Sequence, residues 1–552
     1  MQKLILFIII AIFSLVTLSF AEDIYESRLD KGLKNTEPYS YILIKKAKED
    51  PSKAKSLLEE AIKYSPDLPA AYFELAKTSF SLSAEGLFES MEQTIEGFKA
   101  YKRNFWWLRS ITGLVTLSLI SSLIVALLTV VFIRFFTEAS LLAHEITENG
   151  KKSIIVLFLI PLSFLGPLFF IAGALFLLGL YFRKIDKTIV YMSFIALALS
   201  PVFLKITNIF FSSASLELRA VIDVNESRDN KYAVAVLKGK NDFVSQFSYG
   251  LALKREGSYE NALTIYNNLL SPSNPKVYIN IGNCYFSMND IERAKDFYKK
   301  SADIKPLFSA YYNLSQLSRE TLDFAKGEEY FFEAMKLDRK TVSNFKSAGS
   351  RNPNQFVIDE TLPMSVLWEH ANKTEHETVI TSMANPIIAV IIGTFLFLLF
   401  YIIDTRWKSR AYRCKRCGAI LCRKCGKELF WGQMCAQCYK SLVKLDSLDP
   451  RERVARLLKV QEIYERKKNI ARALSFLFPG VTHIYSGRIL TGSFLLWMFL
   501  FLAGMMLFNR LLLSFIHPFS HGWITIPAVV LMVSLYVASN FAIRRRLSRG
   551  WH

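Results

Sequence analysis

Apolar residues in this chain gather into long runs, separated by stretches where they recur at helical spacing instead. The runs 110–133, 153–182, 188–211, 386–403, 489–508 and 523–543 are each long enough for one membrane-crossing helix, which needs roughly 17–25 residues. Between them, 22–104, 212–385 and 404–472 carry the mixed polarity of soluble segments. The pattern predicts a mainly α protein: multi-pass membrane helices bearing helical soluble domains of α-solenoid type and one small cysteine-rich module.

The run 153–182 is longer than one crossing needs, and Gly166-Pro167 interrupts it near the middle, which predicts a short hairpin. Residues 1–21 combine Lys3, an apolar stretch from Leu4 to Leu18 and Ser19-Phe20-Ala21 before Glu22-Asp23. They read as a signal peptide cleaved after Ala21, or as an uncleaved anchor. Either way 22–104 is exported. With 153–182 as a hairpin, the crossings from 110–133 to 386–403 are odd in number. They leave 212–385 on the exported side and 404–446 in the cytoplasm, with Arg183-Lys184-Ile185-Asp186-Lys187 also inside, where positive charge belongs. The rival plan, one tilted helix over 153–182, makes 212–385 cytoplasmic. Residues 473–552 form a C-terminal membrane hairpin region with spans 489–508 and 523–543. Its Phe478-Pro479-Gly480, Tyr485-Ser486-Gly487-Arg488 and Gly492 resemble a small membrane hairpin common in bacterial proteins, where the glycines permit tight turning and close helix contact.

Residues 243–338 hold a second signature. Gly250, Leu253, Gly257, Tyr259, Ala262 and Tyr266 fit a first repeat, and thirty-two residues later Ile281, Gly282, Tyr285, Ile291, Ala294 and Tyr298 fit a second, with Tyr278 opening it and Pro306 closing it. Tyr311, Leu314, Phe331 and Ala334 continue the series, with Gly327 in place of the small alanine. These positions resemble tetratricopeptide (TPR) repeats. In 22–104 a fainter version appears in Ala54, Leu58, Ala61 and Pro66, then Tyr72, Leu75 and Ala76. The resemblance implies stacked helix pairs whose concave surface binds peptides or other proteins without catalysis.

Charge refines this picture. Of the net +20, residues 404–472 supply 19 Lys/Arg against 7 Asp/Glu, and Arg544, Arg545, Arg546 and Arg549 add to it near the C-terminus. Basic residues flanking membrane segments follow the positive-inside rule, so no nucleic-acid partner is expected. Asp449-Pro450-Arg451-Glu452 opens a basic helix over 447–472, which could lie on an anionic inner leaflet or be a solvated linker.

Six of the seven cysteines fall in three Cys-x2-Cys pairs: Cys414/Cys417, Cys422/Cys425 and Cys435/Cys438. The outer pairs have the spacing of a structural four-thiolate zinc site. The runs Arg413-Cys414-Lys415-Arg416-Cys417-Gly418-Ala419-Ile420-Leu421-Cys422-Arg423-Lys424-Cys425 and Met434-Cys435-Ala436-Gln437-Cys438-Tyr439 resemble the last three pairs of a FYVE-type zinc finger. In that family the second and fourth pairs share one zinc, which implies Cys414, Cys417, Cys435 and Cys438 as ligands. The pair that would partner Cys422 and Cys425 is missing, so these two form a second site or remain free thiols. The family's paired histidines are replaced by Arg410-Ala411-Tyr412-Arg413, and phosphoinositide binding is not implied.

His517 and His521 read as exposed histidines in a turn broken by Pro518, and Cys284 as a buried, inert thiol. Neither a phosphate loop nor a serine elbow occurs. The expected protein is a non-enzymatic bacterial inner-membrane scaffold or adaptor, with exported TPR domains recruiting protein partners and a structural Zn2+ module in the cytoplasm. The alternatives are a membrane thiol–disulfide redox protein using Cys422 and Cys425, and a transporter subunit. The second is weakened by the lack of acidic residues within the spans.

Overall fold

The computed structural model describes residues 28, 31–146, 153–164, 166–211, 215–271, 274–348, 357–374, 386–407, 410–414, 416–422, 429–431, 434–442, 450–510 and 522–548. The expected signal peptide, Cys425, and His517 with His521 lie outside the described residues. The described chain is mainly α, with two small two-stranded antiparallel sheets. It divides into two compact units: Met1–Arg109 with Ser212–His376, and Ser110–Phe211 with Glu377–His552.

In the first unit, four helices (Glu37–Glu49, Ala54–Tyr64, Pro69–Ser79 and Ala84–Arg103) precede Leu216–Asn225 and Ala233–Leu237. Three helix pairs follow: Phe243–Arg255 with Tyr259–Asn268, Pro275–Ser287 with Ile291–Ile304, and Phe308–Glu320 with Phe324–Ala348. Local chemistry sets the starts. The side chains of Ser83, Asp242 and Asp290 accept the N–H three residues on, and a proline sits in the first turn of Pro275–Ser287. The turn inside each pair passes through a positive φ: Gly257 at 84°, Asn289 at 62° and Leu322 at 60°. Glycine and asparagine adopt that conformation readily; leucine does not.

Each pair closes on a small residue. A Cβ at Gly282 would come within 2.5 Å of the Tyr298 ring, and one at Gly250 within 2.9 Å of the Tyr266 ring. Both tyrosines are fully buried, as the repeat pattern requires.

A buried polar seam joins the N-terminal helices to the repeats. Arg228 pairs with Glu37 at 2.9 Å and with Glu226 at 2.8 Å. Asn35 donates to Asp67 at 3.1 Å and to the Glu226 carbonyl at 2.8 Å, and Arg103 pairs with Asp67 at 2.6 Å. Three carboxylates (Glu37, Asp223 and Glu226) thus crowd one arginine. Burial pushes Glu226 up to about 8, against the lowering pull of Arg228. Trp106, Trp107 and Arg109, which in sequence suit an interfacial anchor, sit here as well: Trp107 is 2% exposed against Tyr101, and Trp106 reaches Asp223.

Among the described residues, four helices are long and apolar enough to cross a membrane: Phe105–Ile146, Ile387–Arg406, Ile489–Phe508 and Thr525–Ser548. The first, at 42 residues, is about 63 Å long at 1.5 Å per residue, twice a hydrocarbon core. Ile387, Ile391, Phe395, Leu398 and Ile402 project outward, an arrangement that suits lipid and not water. The run 153–182 is broken into Ser153–Phe164 and Pro167–Gly179, with Gly166 between them at φ 117°.

Two close approaches in the second unit depend on glycine. Gly393 lies against the Phe194 carbonyl and Ala198, and Gly480 lies against the Gly492 carbonyl, where a Cβ would be only 2.2 Å away. The latter is a close approach between two glycines of the C-terminal region.

Candidate functional sites: a four-cysteine cluster and the inner face of the repeats

The cysteine module begins where helix Pro386–Arg406 ends. Arg410 caps that end through the carbonyls of Ile403 and Asp404, pairs with the Asp404 carboxylate at 2.7 Å and reaches the Leu180 carbonyl. Lys187, from the basic loop 183–187, shares the same carboxylate. The module's first strand is tied to the end of Phe105–Ile146: Ala411 N–H donates to Glu145, and Arg413 donates to the Thr137 carbonyl and to Ser140.

Tyr412–Arg413 pairs antiparallel with Ile420–Leu421, and the turn between them holds Cys414 and Cys417. Gly418, at φ 74°, lets the turn close with its N–H on the Cys414 carbonyl at 2.9 Å. Met434–Cys435 runs into the helix Ala436–Leu442, which carries Cys438. The Sγ atoms of Cys414, Cys417, Cys435 and Cys438 all lie within 4.8 Å of one another.

A tetrahedral site with Zn–S near 2.3 Å sets its sulfurs about 3.8 Å apart, and Cys417 Sγ lies 3.7 Å from Cys435 Sγ. Main-chain N–H groups also aim at the sulfurs: Cys435 N–H at Cys414 Sγ and Cys438 N–H at Cys435 Sγ, each at 3.4 Å. Burial raises the Cys414 thiol, but N–H donors from Cys417, Cys435 and Arg416 outweigh it and bring the thiol down to about 7. Cys438 moves the other way, raised by burial and by sharing protons with Cys417 and Cys435. The donor set therefore fits a thiophilic metal ion. Cys422 is not in this group: it is buried against Leu141, Ala411, Ile420 and Tyr181.

On the inner face of the repeats, the extended segment 357–362 crosses the first helix of successive pairs. Ile358 N–H donates to Asn313 Oδ1 (2.7 Å), Glu360 N–H to Asn280 Oδ1 (2.9 Å) and Leu362 N–H to Asn225 Oδ1 (2.8 Å). In return Asn313 and Asn280 donate to the carbonyls of Ile358 and Glu360, at 3.0 and 3.1 Å. Asn283 donates to the Ile358 carbonyl at 3.0 Å and to Asp359 at 2.8 Å, and is itself held by the Tyr298 hydroxyl.

The acidic side chains of the segment are matched too. Lys254 donates to Asp359 at 2.7 Å, and Lys276 to Glu360 at 2.6 Å and to the Thr361 carbonyl at 2.8 Å. Ser309 donates to the other Glu360 oxygen. Burial alone would raise the Asp359 carboxyl, but Lys254 and Arg255, with the hydrogen bonds of Lys254 and Asn283, hold it below the usual range. Sequence reasoning missed this ladder. Its trace is there nonetheless: Ser248, Asn280 and Asn313 lie one repeat apart, polar residues in helix interiors where they are poor formers.

Residues 275–306 match the tetratricopeptide repeat family. No curated protein matches the chain. Among solved structures, one titled "MamA RS-1 ArsTM double mutant" is similar over 29% of this chain and 88% of its own, at 19% identity and a TM-score of 0.20.

Proposed function

We propose that the protein is a non-enzymatic scaffold or adaptor of a bacterial inner membrane, recruiting protein partners on its repeats and stabilised by a structural zinc module. The observation that carries this reading is the tetratricopeptide repeat at 275–306 in a chain whose described residues include four helices able to cross a membrane. Residues 28–109 and 215–374 fold as one unit, so they share one side of any bilayer. Lys187 and Arg410 meet on Asp404, which brings the basic loop 183–187 beside the cysteine module. This supports the plan with both soluble regions exported and the cysteine module cytoplasmic.

Four thiolates close the coordination sphere of a zinc ion and leave no position for a substrate, so its role is to fold the module. Helix Pro450–Leu477 exposes Val454 and Leu458 among its basic residues, which suits contact with anionic lipid.

The test is photocrosslinking in native membranes from exposed Phe324, on the repeats, with exposed Lys373 as control. A defined partner captured from Phe324 alone is expected. No capture from either position overturns the adaptor reading. Metal analysis of the whole protein, purified reduced, should find zinc. Reversible disulfides among the cysteines in place of zinc would favour a thiol–disulfide role.

A further inference from the structure

Segment 357–362 sits on the repeats as a bound peptide would. Its N–H groups at 358, 360 and 362 meet asparagines from three different helices, the period-2 spacing of an extended strand. Three features mark the inner face as built for this. Buried amides are costly unless bonded, so the asparagines require an extended main chain opposite them. The bonds go to main chain and tolerate different side chains. Selectivity comes from Lys254, Lys276 and Ser309, which read the consecutive carboxylates of Asp359 and Glu360, while Ile358 and Leu362 are buried on either side.

We propose that this inner face is a recognition site for an extended segment of the pattern apolar–Asp–Glu–x–apolar, held in cis by residues 358–362, so that a partner protein carrying that pattern enters by displacing them. The proposal rests on the reading of the repeats as a protein-binding surface. A tethered occupant acts at an effective concentration in the millimolar range, so a competitor in trans sees its affinity reduced by the small fraction of open groove.

The test uses the whole chain in detergent and a fluorescent peptide with the sequence of residues 355–364. Converting Asp359 and Glu360 in the chain to lysine sets like charge against Lys254 and Lys276 and frees the groove. That variant should bind the peptide at least about tenfold tighter than the unaltered chain, and adding Asn280→Ala and Asn313→Ala should abolish the binding.

If the charge-reversed chain does not fold, hydrogen exchange on the unaltered chain decides. Saturating peptide should speed exchange at Ile358, Glu360 and Leu362 and leave the helices of 275–306 protected. A folded, opened chain that ignores the peptide overturns the proposal, as does unchanged exchange. A partner crosslinked from Phe324 without any peptide response also overturns it, and leaves the adaptor reading standing.

Discussion

The inner face of the repeats and the cysteine module both bring polar groups together in a confined space, but they satisfy them in opposite ways. On the inner face unlike groups meet within the same chain: asparagine amides meet main chain, and Lys254 and Lys276 meet Asp359 and Glu360. In the module four like groups converge, and once ionised they have no proton left to share. Deprotonated, the four thiols repel one another unless a cation lies among them. The first site is thus complete on its own and acts only by exchange of one segment for another. The second is a set of ligand atoms that could hold a metal ion.

The largest effect expected is on the module. Cys435→Ser should take zinc from about one equivalent to nearly none and unfold the module, since such sites contribute apparent free energies of about 10–16 kcal/mol. Cys422→Ser should keep the metal, because Cys422 packs among apolar residues. Metal analysis with hydrogen exchange over 410–442 checks both. Zinc loss in Cys422→Ser would break the contrast.

Next comes the double substitution Asn280→Ala with Asn313→Ala. It leaves the buried N–H groups of Ile358 and Glu360 without acceptors, at about 1–3 kcal/mol each, and should lower the melting temperature with zinc unchanged. Gly282→Ala follows. Its methyl would meet the fully buried Tyr298 ring at 2.5 Å, for a loss of about 1–3 kcal/mol, visible as a lower melting temperature.

A subtler prediction sets the seam against the inner face through pH. Glu226 is raised from 4.5 to about 8, so the folded state binds its proton more tightly. That contribution is full below about 4.5 and lost as pH rises through about 8. Asp359 is lowered, so its contribution is present above the ordinary Asp value of about 4 and lost as pH falls below it. Hydrogen exchange should slow at the seam from pH 8 to 5, then quicken at 358–362 in stronger acid. The smallest effect is Lys373→Ala, which breaks an exposed pair with Glu369 and should leave the melting temperature unchanged.

Much of this was legible in residue order. Gly250 and Gly282 sit under Tyr266 and Tyr298 because a helix pair needs a small residue opposite a large one, and that requirement has a fixed spacing. The clustering of Cys414, Cys417, Cys435 and Cys438 was legible because two Cys-x2-Cys turns need only a return path. Trp106 and Trp107 were harder. Beside an apolar run they suit the membrane surface, yet Trp107 packs on Tyr101 and Trp106 reaches Asp223, over a hundred residues away in sequence. Nothing local distinguishes the two environments.

Sequence by itself determined what depends on neighbours a few residues apart or on run length: helix pairs, apolar helices, capping residues and the four-thiol set. Tertiary structure alone decided what depends on segments far apart in the chain. It joined the N-terminal helices to the segment before the repeats through Asn35, Arg228 and Glu226, laid 357–362 on asparagines of the first unit, and separated Cys422 from the four clustered cysteines. The physical reason is that hydrogen bonds and ion pairs between distant segments carry no period in the sequence. A helix interior records only that an asparagine is present, while its partner is chosen when the chain folds back.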